Sequence, residues 1–110
     1  MMRLEYAGGT MITGDEIADA IVRYAAALAI ANTAVAIDVP GITADGVSGT
    51  FQILIGPASQ IMVEPSDEPG PVRDEEFVAH LNAEIELLQR PRVALPFDDD
   101  QSIAAGDEFA

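Results

Sequence analysis

Between Thr13 and Ala31 the chain carries a helical repeat that is apolar on two sides at once. Ile17, Ile21, Tyr24 and Leu28 fall on one face, and Ala18, Val22, Ala25 and Ala29 on another. Such a helix has to be covered on both flanks, by its own sheet and a second helix or by another subunit. The small residues of the second flank permit close approach. Ala18, Val22, Ala25 and Ala29 are therefore the candidate interaction surface wherever the monomer itself does not bury them. The start of this helix is marked by Thr13 and Glu16, three residues apart as in a capping box, with Asp15 adding negative charge where the helix dipole favours it.

The segments around this helix read as strands. Arg3 to Tyr6 alternates polar and apolar, Ala7-Gly8-Gly9 tolerates positive φ, and Thr10 to Ile12 resumes an extended pattern, which together predict an opening hairpin. Thr33 to Val39 is rich in β-formers, and Pro40-Gly41 is expected to stop it. A turn at Ala44-Asp45-Gly46 leads to a strand over Thr50 to Ile55, and a tight turn at Gly56-Pro57-Ala58-Ser59 returns the chain along Gln60 to Glu64. Pro65 to Pro71 is a loop.

A second helix is predicted from about Asp74. Asp74, Glu75 and Glu76 suit its first turn, and Phe77, Leu81, Ile85 and Leu88 form its apolar stripe. Arg90 and Arg92 flank its end, Pro91 terminates it, and Val93 to Pro96 is expected to add a short extended segment. The order ββαβββα predicts an α+β fold, a small two-layer domain with an antiparallel sheet and both helices on one face. Residues 1–97 make a single domain, followed by an acidic tail over 98–110 that holds Asp98, Asp99, Asp100, Asp107 and Glu108.

Charge narrows the partners. Nineteen acidic residues face five arginines and no lysine, a formal net charge of -14 over 110 residues. Such a surface repels polyanions, so DNA, RNA and anionic membrane are disfavoured as direct partners, and a basic protein suits it. No cysteine is present, which removes disulfides, thiolate nucleophiles and cysteine metal sites. Met1 to Tyr6 lacks the layout of a secretory signal, and the apolar stretch from Tyr24 to Ile37 is too short to span a bilayer, so a cytoplasmic location is expected.

The arrangement Arg3-Leu4-x-Tyr6-x-Gly8-Gly9-Thr10, the capped helix, the β-rich middle, Gly56-Pro57-Ala58-Ser59-Gln60-Ile61 and the closing acidic-capped helix together resemble a family of small uncharacterised actinobacterial proteins. The resemblance covers most of the chain. Its motifs are turns and caps, and the middle strands carry mostly Ala, Val and Ile where such proteins tend to have aromatic residues. Members are sometimes labelled ATP-dependent DNA ligases. That chemistry attaches AMP to a lysine amine, and this chain has no lysine, so the ligase label is rejected here.

Three constellations remain. Glu76, His80 and Glu84 are spaced four residues apart on one helix face and offer two carboxylates and an imidazole to a metal; the plainer reading is a solvated face. Ser59 follows a Gly-Pro turn but lacks the flanking glycines of a nucleophile elbow, and Gly8-Gly9 is followed by no Gly-Lys-Ser/Thr, so both are turns and no cofactor is implied. Carboxylate pairs such as Asp15 with Asp19 arise by chance in so acidic a chain. The sequence therefore points to a non-enzymatic interaction module, associating with itself or with a basic protein. Alternatives are a structural subunit of a larger assembly, such as a phage particle, and a small metal-binding domain or enzyme centred on His80.

Overall fold

A computed structural model describes residues 1–43, 45–68 and 70–90. The order is β1 (Met2–Tyr6), β2 (Gly9–Thr13), α1 (Asp15–Ala31), β3 (Val35–Ile42), β4 (Ser48–Ile55), β5 (Ile61–Pro65) and α2 (Glu75–Gln89). The strands form one antiparallel sheet in the order β4-β3-β2-β1-β5, and the fold is the α+β arrangement that the periodicities predict. The expected segment at Val93 to Pro96, the stop at Pro91 and the tail over 98–110 lie outside the described residues, as does Ala44 of the expected turn.

One core joins the two layers. Leu4, Met11, Ile37, Val39 and Ile55 of the strands meet Ile17, Ile21, Tyr24 and Leu28 of α1 and Leu81 and Ile85 of α2. The two helices run side by side in the same direction, since Arg23 of α1 donates to Asn82 of α2 at 3.0 Å and the backbone at Gly14 lies against Val72, just before α2. Both N-termini thus sit at one end of the molecule, where Asp15, Glu16, Glu75 and the capping Asp74 complement two helix dipoles at once. Asp74 accepts a hydrogen bond from the Phe77 backbone N–H at 3.0 Å. At its other end α1 closes with Asn32 in the left-handed conformation, while Thr33 N–H donates to the Leu28 carbonyl and Asn32 N–H to that of Ala29, a Schellman closure.

Two expectations are corrected. Thr13 does not cap α1: it is the last residue of β2, wholly buried, and its hydroxyl donates to the Pro40 carbonyl at 2.7 Å. Gly14 takes the N-cap position without a side-chain bond, because Val72 leaves no room there for a Cβ. Nor does Pro40-Gly41 end β3, which continues to Ile42 with Pro40 paired to Thr50 and Gly41 to Gly49. A residue's N–H and C=O point to the same edge of a strand, so the donor that Pro40 lacks would face β2. There the ladder consists of the Ile12–Ile42 pair alone.

That single pair shapes the sheet. Continued flat from Ile12–Ile42, the β3–β4 hairpin would place Ile55 ten residues, about 33 Å, along the strand direction from Ile61. Only residues 56–60 join them, a reach of roughly 20 Å, and Gly56 and Ser59 already fold into a tight turn, with Ser59 N–H donating to the Gly56 carbonyl at 3.1 Å. The hairpin must therefore swing about its junction with β2 and bring its far end back toward the β1–β2 turn. Gly41 makes the junction close, since a Cβ there would come within 2.5 Å of Met11 Cε and 2.7 Å of the Ile12 carbonyl oxygen. Gly41→Ala is expected to destabilise the protein by about 1–3 kcal/mol, read as a lowered thermal midpoint. Gly49→Ala, where an added Cβ meets nothing within 4 Å, leaves the midpoint unchanged or slightly higher.

Candidate functional site

The swing of the hairpin opens a groove of 710 Å³ between the β1–β2 turn and the β4–β5 turn. Side chains alternate across a strand, so Leu4, Met11, Ile55 and Val63 face the helices while Glu5, Thr10, Leu54 and Met62 face the opposite way. It is this second set that lines the groove, together with Tyr6, Ala34 and the two turns. Leu54 and Met62 are 59% and 53% exposed there, on the sheet face that carries no helix. Glu5 is the one charged residue of the lining, so the groove is a mostly apolar patch on a strongly anionic chain.

The Ser59 hydroxyl accepts from the Gly56 N–H at 2.8 Å and so belongs to the turn. Ala7 and Gly8 both have positive φ, 52° and 82°, and make the two-residue turn between the paired residues Tyr6 and Gly9. On the neighbouring surface Arg3 pairs with Glu64 across β1 and β5 at 3.2 Å, an exposed ion pair of small energetic weight.

The residues singled out from the sequence lie elsewhere. Glu76 and His80 are exposed on α2, and Glu84 is half-buried toward α1. A rise of about 1.5 Å per residue puts Glu76 and Glu84 roughly 12 Å apart along the axis, too far to share one ion with bonds near 2 Å. Among the described residues no three His, Cys, Asp or Glu side chains are gathered as a metal ion requires. The structure thus does not bring Glu76, His80 and Glu84 together as a metal site. Their helix spacing does not converge on a point.

The small-residue flank of α1 is also divided. Ala18 is buried within the molecule and Ala25 half-buried, whereas Val22 and Ala29 are exposed. Beside them lies a 210 Å³ cavity bounded across by Pro57, Ser59 and Ile61, so the β4–β5 turn already covers part of this flank. Ala18, Val22, Ala25 and Ala29 are not one open face. The exposed apolar pair Leu54 and Met62 was not singled out by sequence reasoning. Its signal is the run Ile53-Leu54-Ile55, where an apolar residue stands at a position that alternation reserves for a polar one.

Comparison of the chain with protein-family models, with curated proteins and with solved structures returned no match. Among the described residues no helix is long and apolar enough to cross a membrane.

The Tyr24 hydroxyl is perturbed by its surroundings. Burial pushes the Tyr24 hydroxyl above its ordinary value of 10.0, and the Glu84 carboxylate adds to the rise. The folded protein holds this proton more tightly than the unfolded chain does. The stability so gained is present below pH 10.0 and is lost as pH rises through the folded value. In a Tyr6→Phe background, which leaves Tyr24 as the single tyrosine, ultraviolet titration is expected to show ionisation later than for a free tyrosine. Adding Glu84→Gln shifts that ionisation back part of the way, with burial accounting for the remainder.

Proposed function

We propose that this chain is a non-catalytic protein-interaction module, which associates with itself and offers an acidic surface to a basic protein partner. The observation that carries the reading is the sheet face without helices, where Leu54 and Met62 stand exposed beside a groove bearing a single carboxylate. Apolar contact area supplies affinity there, while the surrounding net charge of -14 steers a basic partner and turns polyanions away.

The division of labour between patch and field is measurable. The immobilised chain is expected to retain a basic polypeptide from native lysate, with retention falling as salt is raised. The double variant Leu54→Ser, Met62→Ser loses most of it at constant net charge. Retention that ignores both salt and the double variant contradicts the reading.

A further inference from the structure

The two edges of the sheet are protected unequally. β5 is short, five residues, and carries Glu64 and ends in Pro65, devices that discourage a further strand from adding. β4 is eight residues, Ser48–Ile55, and its sequence Ser-Gly-Thr-Phe-Gln-Ile-Leu-Ile holds no charge and no proline. Among the described residues it pairs on one side only, with β3. Among the described residues about 26 Å of strand edge thus keeps its outward N–H and C=O groups unpaired.

For a second copy of this chain, charge selects the segment through which it can pair. Any approach between two copies of a chain with net charge -14 opposes carboxylate to carboxylate unless the contact is made through an uncharged segment. β4 is such a segment. The nearest carboxylate on the adjacent strand is Asp38, in register with Gln52. In a sheet joined β3-β4-β4-β3 the two Asp38 residues stand three strand spacings apart, roughly 14 Å, beyond the ~8 Å screening length at physiological salt.

We infer that β4 pairs antiparallel with β4 of a second copy, joining two five-stranded sheets into one of ten strands. This rests on the reading of the chain as a self-associating module and assigns that association a place. A two-fold axis normal to the sheet keeps the helices of both copies on one side and sets one residue opposite itself. Maximal overlap of Ser48–Ile55 puts Phe51 or Gln52 at that point. With Gln52 at that point Phe51 and Ile53, half-buried on the helix side, stand opposite each other across the seam, and with Phe51 there the two Phe51 side chains do.

The chain has no cysteine, so a single introduced thiol reports the pairing alone. Light scattering of the wild-type protein is expected to show a dimer, and either Gln52→Cys or Phe51→Cys to form an intersubunit disulfide under mild oxidation. Leu54→Cys does not, because its two copies lie about 14 Å or more apart, beyond disulfide reach. Gln52→Lys, folded by circular dichroism, is expected to weaken the dimer about ten-fold or more by opposing two ammonium groups on the edge. The same change makes each copy less negative and would strengthen an association governed by net charge, so its sign separates the two causes. A monomeric wild-type protein overturns this inference together with self-association. A dimer that neither Gln52→Cys nor Phe51→Cys links, or that Gln52→Lys leaves intact, overturns the β4 pairing and leaves self-association standing.

Discussion

The fold hangs on one junction. The three-stranded unit of β1, β2 and β5 and the β3–β4 hairpin share a single backbone pair, Ile12 with Ile42, and beside it the buried Thr13 hydroxyl donates to the Pro40 carbonyl. Ile12, Thr13 and Gly41 are buried at this corner and Pro40 half-buried, so its carbonyl without the Thr13 donor would carry part of a desolvation cost. Pro40 fits because the donor it lacks would point where no ladder continues, and Gly41 fits because Met11 and Ile12 occupy the space of a side chain. With the hairpin free to swing about this corner, a short link can join the two outermost strands. The groove and the exposed Leu54–Met62 pair follow from that swing.

The same geometry sorts the surface into parts with different uses. Helices cover one face of the sheet and bury the strongest apolar stripes of α1 and α2, so the carboxylates that flank those helices go to solvent or to the paired N-termini. Among the described residues the opposite sheet face and the β4 edge carry no helix or further strand; the groove on that face is lined by one carboxylate, and β4 holds none. On a chain of this polarity, regions with few carboxylates are where another protein can approach closely, and the anionic remainder selects what approaches.

The elements were legible in the sequence where local physics decides them. The period of Ile17, Ile21, Tyr24 and Leu28, the acids ahead of Phe77, and the alternation in Arg3 to Tyr6 each state their own structure, and the fold class follows from their order. What was not legible depends on partners distant in the chain. Thr13 reads as a cap because Glu16 follows it, yet a carbonyl 27 residues on takes its hydroxyl. Pro40-Gly41 reads as a stop, and only the sparse pairing with β2 makes it part of a strand. Glu76, His80 and Glu84 share a face as their spacing requires, but a face is a line of points and a metal site is one point. The Leu54–Met62 patch joins two strands that only the tertiary swing brings together.

Thr13→Val keeps the shape of the side chain and removes the hydroxyl that bonds the Pro40 carbonyl, so urea unfolding of this variant at fixed protein concentration tests the account most directly. A loss of about 1–3 kcal/mol is predicted, the cost of a partly buried carbonyl left without its donor. A variant as stable as the wild type to within about 0.5 kcal/mol would show that the Thr13–Pro40 bond does not hold the hairpin in place.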